Sequence, residues 1–438
     1  MTAVLETPVL ARHEAARNTT LRDDAAPCPA GPVTVGPLAV VSGAAEYVPL
    51  TDGATVRYAN LDYAASAPAL EAVQRAVATA LGEYASVHRG AGYLSQRSTA
   101  RYESARATVA EFVGARDDDH VIFTGNTTDS LNLLARCVPG EVVVLDAEHH
   151  ANLLPWQHGG VRVVCAPLSI EGTLAAVEAE LSRRPAALLS VTGASNVTGE
   201  VLPVRRLAAI AHRYGARICV DAAQLAPHRR ISLRDSGIDY LAFSGHKLYA
   251  PYGAGVLVGR ADWLDDADPY RYGGGATYEV IGKPVARSVE VAWHTGPARH
   301  EAGSPNVLGA VAIAAAAVEL TRLTDEAAEH ERFLTELLSA GLADIDGVRE
   351  LRIWVDSVER VGIVAFTVDG VAPREVAEYL SDQHGIGVRD GRFCAHPIVA
   401  RLGVPDGAVR ASLGLGTTET DVRRLVDAIA ELVTGRNK

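Results

Sequence analysis

The 438-residue sequence is short of basic charge and of long apolar runs, and each shortage excludes a class of protein. Lysine and arginine together number 41 against 53 acidic residues, which gives a net charge of −12. Nonspecific binding to nucleic acid needs a basic surface, so this charge argues against it. No segment approaches the roughly 20 apolar residues of a membrane-spanning helix. We therefore expect neither a nucleic-acid partner nor a membrane.

Cysteine is also scarce, and its spacing matches neither a metal site nor a disulfide framework. We therefore predict no metal site and expect a reducing, cytoplasmic environment. The residues around Cys137 and Cys219 are apolar, which is typical of buried thiols. The five cysteines are Cys28, Cys137, Cys165, Cys219 and Cys394.

Residues 1–45 are rich in alanine, proline, glycine and acidic residues, and they lack the apolar block of a secretory signal. Acidic residues such as Glu6 and Asp23 also argue against a mitochondrial transit peptide. We predict a flexible extension here, with a helix at residues 4–17.

The most informative feature is a lysine that directly follows a short apolar run. Residues 240–243 predict a buried parallel strand, and Lys247 comes just after its carboxyl end. Ligands bind at that edge of open α/β sheets, so Lys247 is a candidate to hold a carbonyl cofactor as a Schiff base. The alternative is an ordinary solvated surface lysine.

Asp221 ends a second apolar run and is the candidate partner for a pyridine nitrogen. Pyridoxal phosphate needs such a carboxylate, because a protonated ring acts as the electron sink. Gln224, three residues later, could donate to the ring phenolate, or it could be a polar helix start. These two residues make pyridoxal phosphate the predicted carbonyl cofactor.

Three further strand ends carry polar groups that fit the same cofactor. Residues 120–130 predict a strand leading into a helix, whose first turn could bind a phosphate or be an ordinary cap. Residues 142–145 precede two histidines, one of which could lie flat on the ring; a zinc pair or a capped turn are the alternatives. The run 188–191 leads to a possible phenolate contact. The residues are Asn126, Thr127 and Thr128, then His149 and His150, and then Asn196.

From about Tyr58 to its C-terminus, the chain resembles fold type I pyridoxal phosphate enzymes of the class V aminotransferase group, and most closely cysteine desulfurases and selenocysteine lyases. The resemblance implies a large domain with a mostly parallel, seven-stranded type of sheet covered by helices, and a smaller α+β domain. The matching runs are residues 60–66, 86–90, 148–152, 221–224, 244–247, 301–306 and 389–397.

Several roles follow from the resemblance. Lys247 is the imine lysine, Asp221 the pyridinium partner and His149 the stacking residue. Arg410 matches the arginine that holds the substrate α-carboxylate, as suits a guanidinium fork. The resemblance also implies contacts to the phenolic oxygen, to the phosphate and to the substrate. The two predicted substrate contacts, His88 and Arg89, could instead form a structural salt bridge. These residues are Asn196 and Gln224 for the phenolic oxygen, Thr128, Ser244 and His246 for the phosphate, and His88 and Arg89 for the substrate.

The resemblance further implies a homodimer with shared active sites. A hydroxyl from the partner subunit completes the phosphate site in this family, and Ser304 occupies the matching position. Each site would therefore contain residues from both chains.

Cys394 matches the sulfur-accepting nucleophile of the desulfurases. It follows Arg389 and Arg392 in a segment whose glycines suggest a mobile loop, and nearby guanidinium charge favours a thiolate. The implied reaction takes sulfur from L-cysteine as a persulfide on Cys394, releases L-alanine, and passes the sulfur to an acceptor protein or thiol. One departure is that Arg392 and Phe393 stand where related desulfurases often have histidines. A carbon–sulfur lyase, an aminotransferase, an epimerase and a catalytically silent scaffold remain alternatives.

The order of the predicted elements suggests an extension at 1–45, a large cofactor-binding domain at 46–310 and a small domain at 311–438. A long alanine-rich helical pattern at 304–338 bridges the two domains. In the small domain we predict strands at 362–368 and 410–413 and a helix at 372–384. A last helix begins near Thr418, where Asp421 completes an approximate capping box.

Overall fold

The computed structural model describes residues 35–283 and 286–436. The predicted helix at 4–17, most of the predicted extension and Cys28 lie outside these residues. From Gly36 onward the chain forms one compact unit, Gly36–Lys438. The division at residue 310 therefore stays a prediction.

The strands and helices alternate through the first two thirds of the described chain. The strands are β1 Tyr47–Pro49, β2 Thr55–Arg57, β3 Ala59–Asn60, β4 Asp119–Thr124, β5 Val142–Leu145, β6 Val161–Val164, β7 Leu188–Thr192, β8 Arg217–Asp221, β9 Tyr240–Ser244, β10 Gly255–Arg260, β11 Thr277–Lys283, β12 Ser288–Trp293, β13 Val348–Glu350, β14 Ile363–Val368, β15 Ile386–Gly387, β16 Arg389–Gly391 and β17 Ala408–Ser412. The helices are α1 Glu71–Gly82, α2 Tyr93–Phe112, α3 Thr127–Cys137, α4 His150–Leu153, α5 Ile170–Arg183, α6 Val204–Arg213, α7 Leu233–Ser236, α8 Ala261–Asp266, α9 Val307–Arg322, α10 Thr324–Ala343, α11 Pro373–His384, α12 His396–Arg401 and α13 Glu419–Arg436.

The centre of the molecule is a seven-stranded sheet in the order β4-β10-β9-β8-β7-β5-β6. The pairs from β9 through β6 are parallel, and β10 runs antiparallel to both of its neighbours. Both faces are covered: Val143 and Leu145 of β5 belong to one hydrophobic core, while Val142 and Val144 belong to another. Burial on both faces explains why these strands are continuous apolar runs. The predicted α/β fold with a mostly parallel sheet is confirmed.

The strand directions decide where polar groups can meet. Because β10 is antiparallel to both β4 and β9, strand β4 points the same way as β5, β7, β8 and β9. The carboxyl ends of these five strands therefore lie along one edge of the sheet. The residues that the sequence placed at strand ends lie at or just after these carboxyl ends.

The C-terminal part contains a four-stranded antiparallel sheet in the order β13-β14-β17-β16. Its core combines Phe366 of β14 with leucines of α10, α11 and α13, such as Leu338, Leu380 and Leu425. Arg410 lies in the middle of β17 and pairs in register with Arg389 of β16 and Ala365 of β14. This sheet therefore carries Arg410 and leads, through β16, to Cys394.

The helical pattern predicted at 304–338 forms two helices rather than one, because α9 and α10 meet at a bend of 79°. Leu323 at the bend packs in the main core, whereas Leu334 and Leu342 of α10 pack in the core of the C-terminal sheet. The chain turns because its apolar residues serve two cores, and the Thr324 hydroxyl donates to the Leu320 carbonyl at the bend. No single helix in the described residues could cross a membrane by length and composition; α9 and α10 pass that test only as a bent pair.

Candidate active site

Lys247 lies in the turn that follows β9, at the sheet edge described above. The turn is tight: a side chain at Gly245 would come within 3.0 Å of the carbonyl oxygens of Ala250 and Ala254, and Tyr249 has a φ of 58°. Burial lowers the pKa of the Lys247 amine to about 8, and the attraction of Asp221 opposes this shift. A lysine that gives up its proton near neutral pH is suited to forming an imine with an aldehyde.

Asp221 is the last residue of β8 and is buried. Its Oδ1 accepts a hydrogen bond of 3.0 Å from the amide of Ala223. Burial raises the pKa of this carboxyl, while the charge of Lys247 lowers it. The two groups that the sequence assigned to one cofactor are therefore neighbours that influence each other.

His149 is the N-cap of α4, and its Nδ1 accepts a hydrogen bond of 3.0 Å from the amide of Ala151. Burial lowers the pKa of His149 to about 4, and the nearby Lys247 charge adds to this effect. The imidazole is therefore neutral at neutral pH, as suits a ring that lies against a cationic pyridine. The capped turn, which was an alternative for this residue, is also present.

Glu148, to which the sequence assigned no role, directly precedes His149 in the chain. It is completely buried and accepts hydrogen bonds from Asn152 Nδ2, at 2.7 Å, and from the Thr192 amide, at 3.0 Å. Burial raises its pKa to about 8, and Asp221 contributes in the same direction. The sequence offered no signal beyond the charge of Glu148 next to two histidines.

The first turn of α3 meets the end of β9 where a phosphate would bind. The amide and the hydroxyl of Thr127 both lie 2.7 Å from Ser244 Oγ. Asn126 is the helix cap and accepts from the Asp129 amide, while Thr128 is exposed in the first turn. Thr127 and Ser244 are therefore in contact, and Asn126 fits the capping alternative; binding of a phosphate by these residues stays a prediction.

His246 and Ser304 are the other two predicted phosphate contacts, and Ser304 was predicted to act in the partner subunit's site. His246 is partly buried, its carbonyl accepts from the amide of Ala67, and burial lowers its pKa. Ser304 is exposed and lines a cavity of about 240 Å³ together with Gly125 and Asp129.

The two predicted phenolate contacts already make hydrogen bonds to backbone carbonyls. Asn196 Nδ2 donates to the Phe393 carbonyl, and Gln224 Nε2 donates to the Ala64 carbonyl, both at 2.8 Å. Each amide nitrogen has two N–H groups, so one donor on each remains for a ligand. The turn after β8 contains no helix, so the helix-start alternative for Gln224 is wrong.

Arg410 is only 4% exposed and is held from two sides. Its Nη1 donates to the Asn196 carbonyl at 2.8 Å, and its Nη2 pairs with Asp62 Oδ1 at 3.1 Å. The buried Nε has no hydrogen-bond partner. Buried guanidinium N–H groups are rarely left unpaired, so this atom marks a position for an anionic ligand. The sequence analysis gave Asp62 no role.

Residues 392–395 connect β16 to α12 and contain Cys394, which is exposed. A mobile loop was predicted here; the connection is a tight turn whose backbone takes part in three hydrogen bonds, one of them from a side chain. The Cys394 carbonyl accepts from the His150 amide at 2.8 Å, the Phe393 carbonyl accepts from Asn196, and the Ala395 amide donates to the Arg392 carbonyl at 2.9 Å. Burial lowers the pKa values of Lys247 and Arg410, and the nearby Cys394 opposes both shifts.

His88 and Arg89, the other predicted substrate contacts, make their hydrogen bonds elsewhere. His88 Nε2 lies 2.9 Å from Glu103, and Arg89 donates to the carbonyls of Gly274 and Gly303 at 2.9 and 2.8 Å. The contact with Glu103 fits the structural alternative for His88. No cluster of three or more potential metal ligands occurs in the described ranges.

These groups fit pyridoxal phosphate by their chemistry. A partly buried amine of lowered pKa, a buried carboxylate beside it, a neutral imidazole and a helix N-terminus converge at one sheet edge. Together with the seven-stranded sheet, they define a fold type I pyridoxal phosphate-dependent enzyme.

Comparison with known proteins gives the family. The family model described as Aminotransferase class-V matches residues 59–425. A cysteine desulfurase of Dickeya dadantii is 37% identical over 383 residues, covering 84% of this chain and 90% of that protein. The chain belongs to the class V aminotransferase family, whose members are pyridoxal phosphate enzymes.

Solved structures agree with this assignment. The apo cysteine desulfurase from Thermococcus onnurineus superimposes with a TM-score of 0.78 at 33% identity, covering 86% of this chain and 95% of that one. The cysteine desulfurase CsdA from Escherichia coli gives 0.75 at 35% identity with the same coverages.

Proposed function

We propose that this enzyme is a cysteine desulfurase that takes sulfur from L-cysteine through a persulfide on Cys394 and releases L-alanine. One observation carries the proposal: an exposed thiol lies at the same site as Lys247 and Arg410 and influences the pKa of both. The relatives at 33–37% identity that are named cysteine desulfurases support the same chemistry.

The residues around Lys247 divide the work of holding the cofactor. Lys247 would bind it covalently, Asp221 would pair with its pyridine nitrogen, and His149 would lie on its ring. Asn196 and Gln224 would donate to its phenolic oxygen. Bound pyridoxal phosphate supplies an electron sink at the substrate α-carbon. The phosphate would be held by Asn126, Thr127, Thr128, Ser244 and His246 of the same subunit. Ser304 of the partner subunit would add a hydroxyl.

Substrate binding and proton transfer fall to three residues. Arg410 would take the α-carboxylate through its unpaired Nε and through Nη2, which now pairs with Asp62. Asn196, whose carbonyl holds Arg410, would position the same group. Lys247, once released from the cofactor, moves a proton to or from the α-carbon.

Sulfur transfer is the step assigned to Cys394. Its thiolate attacks the substrate sulfur, a sulfur–sulfur bond forms, and the carbon–sulfur bond breaks with its electron pair left on the carbon side. The carbon takes up a proton and leaves as alanine. A second thiol, on an acceptor protein or a small molecule, then removes the outer sulfur. Selenocysteine is a second candidate substrate, because it offers a carbon–selenium bond in the place of the carbon–sulfur bond; the same attack would form a sulfur–selenium bond on Cys394.

A homodimer completes the proposed site. The hairpin β11–β12 presents apolar side chains to solvent, with Tyr278 74% exposed and Val289 65% exposed. A two-stranded hairpin is marginally stable by itself, so contact with a second copy explains how it is held. The free, buried thiols of Cys137 and Cys219 fit a reducing cytoplasm.

Phe393 favours a second candidate. It lies beside Arg410, and it stands where related desulfurases often carry a histidine that can move protons. A carbon–sulfur lyase, an aminotransferase or an epimerase would use Lys247 and the same cofactor contacts. None of these activities would require that histidine or Cys394.

The test is to give the cofactor-loaded protein L-cysteine and to measure alanine and protein-bound persulfide. Cys394→Ala should lose the persulfide and most of the alanine. Cys165→Ala is the matched control, because Cys165 is also exposed but sits beside Asp146. Equal alanine production by Cys394→Ala and the wild type would favour the second candidate.

A further inference from the structure

Phe393 lies between the group that binds the substrate carboxylate and the thiol that accepts the sulfur. Its ring centroid is 5.2 Å from the Arg410 guanidinium carbon. Its carbonyl accepts a hydrogen bond of 2.8 Å from Asn196. The side chain is 7% exposed, whereas the next residue, Cys394, is exposed. One residue thus contacts both proposed carboxylate-binding side chains and borders the nucleophile.

An aromatic ring in this position changes how Arg410 binds an anion. The face of the ring attracts the guanidinium and fixes its orientation without using any of its N–H donors. The ring also excludes water from that side, and ion pairing is stronger where water is excluded. The unpaired Nε therefore stays available for a carboxylate.

The backbone of the turn links the ring to the thiol. Phe393 and Cys394 have φ values of 54° and 53°, in the left-handed region that bulky residues seldom adopt. Such a conformation persists only where surrounding contacts impose it. Here the bonds to Asn196 and His150 hold both carbonyls. The turn that directs the Phe393 ring towards Arg410 therefore also directs the Cys394 side chain towards solvent.

We propose that Phe393 is a positioning residue that orients Arg410 for an α-carboxylate without adding a titrating group of its own beside the guanidinium. The inference rests on the proposed function in one respect only, namely that Arg410 holds the carboxylate. An imidazole in the same place would become charged in acid and would repel the guanidinium, and a benzene ring does not.

The first experiment compares two amines that differ only in the carboxylate. The dissociation constants of L-alanine and ethylamine are measured from the absorbance of the bound cofactor. We expect Phe393→Leu to weaken L-alanine binding by about 5-fold and ethylamine binding by less than about 2-fold. Phe393→Tyr, which keeps the ring, should bind both amines like the wild type. Phe333→Leu, at an exposed site on α10, is the matched control.

The second experiment uses Phe393→His and a pH series. Its L-alanine dissociation constant, divided by that of the wild type at the same pH, should rise as the pH falls through about 6.5. The division removes the effect of the other charged and titratable groups that face Arg410, which are Asp62, Arg389, Lys247, His149 and Cys394. Thermal unfolding of each variant checks folding, and Phe393→His carries the test if Phe393→Leu does not fold.

Two results would overturn the proposal. One is that Phe393→Leu changes both dissociation constants equally or changes neither. The other is that the L-alanine dissociation constant of Phe393→His, divided by that of the wild type, does not vary with pH. Failure of the desulfurase proposal gives a different pattern. Alanine production that survives in Cys394→Ala would contradict the proposed role of Cys394 as the sulfur acceptor. It would leave L-alanine binding unaffected, because that binding needs Lys247 and Arg410 but not the thiol.

Discussion

Burial controls the protonation of the ionisable side chains around Lys247. It lowers the pKa of Lys247 to about 8 and that of His149 to about 4, and it raises the pKa of Glu148 to about 8. Each shift favours the neutral form of the group. His149 and Glu148 are therefore largely neutral at pH 7, whereas Lys247, with a pKa of about 8, is still mostly protonated there.

The lowered pKa of His149 makes the stability of the cofactor-free protein depend on pH. Between about pH 6.5 and pH 4 the unfolded chain takes up a proton at this histidine and the folded chain does not. The free energy of unfolding therefore falls as the pH is lowered through this range, and this residue accounts for about 2 kcal/mol of the loss between pH 8 and pH 5.

Urea unfolding of the wild type and of His149→Gln at pH 8 and at pH 5 measures the effect. The variant should lose less stability between the two pH values, and the difference at pH 8 serves as the internal control. Equal losses in both proteins would show that His149 is protonated in the folded state.

The sequence predicted the site residues that follow strand ends, and it missed those whose contacts are made through the tertiary structure. Lys247, Asp221 and His149 each come just after an apolar run, so the sheet alone implies that they meet. Asp62 and Arg410 are 348 residues apart in the chain, and no local pattern implies their ion pair. Phe393 was noticed only as a missing histidine, because its contact with Arg410 depends on a left-handed turn.

At the scale of elements, the start of α13 shows a local signal that the structure confirms. Thr418 Oγ1 accepts from the Asp421 amide at 3.1 Å, and Asp421 Oδ2 accepts from the Thr418 amide at 3.0 Å. Aspartate thus closes the capping box in place of the usual glutamate. Local hydrogen bonds of this kind need no tertiary contact, so the sequence could predict them.

Thr418→Ala should lower the free energy of unfolding by about 1 kcal/mol, because the Asp421 amide loses its side-chain acceptor. Thr434→Ala is the matched control, since Thr434 is exposed near the other end of α13 and donates only to the Ala430 carbonyl. Urea unfolding measures both variants. If the two lose the same stability, the capping box contributes nothing specific.

The bend between α9 and α10 shows where local signals fail. The alanine-rich pattern continues across Leu323, and helix propensity alone favours one helix. The bend arises because the residues before and after Leu323 pack in different cores. Which core a residue joins depends on the whole chain, so the sequence could not predict the bend.

At the scale of the whole molecule, strand direction places the site. The order of strands and helices predicted a mostly parallel sheet, and the parallel strands bring five carboxyl ends to one edge. The sequence therefore predicted the fold class and the location of the site. A surface meant for a second chain leaves no such pattern, so the dimer could be inferred only from resemblance.

The exposed hairpin gives the dimer a direct test. Val280 and Val289 lie on one face of it, because Gly282 pairs with Val289 and is two residues from Val280. The wild type should sediment at twice the mass of one chain, and Val280→Asp with Val289→Asp should shift it towards the monomer, since burying two carboxylates is costly. Val355→Asp, at a position 81% exposed outside the hairpin, is the control. A wild type that sediments as a single chain would contradict the dimer.

Covalent binding of pyridoxal phosphate by Lys247 can be tested directly, because the chain contains few lysines. The sequence has only three lysines, Lys247, Lys283 and Lys438. Borohydride reduction of the cofactor-loaded protein fixes the cofactor to its lysine, and peptide mass spectrometry then locates it. The reduced pyridoxyl group should lie on the peptide that contains Lys247, and Lys247→Ala should lack the absorbance band of the cofactor imine. A pyridoxyl group on Lys283 or Lys438, or a band that persists unchanged in Lys247→Ala, would contradict it.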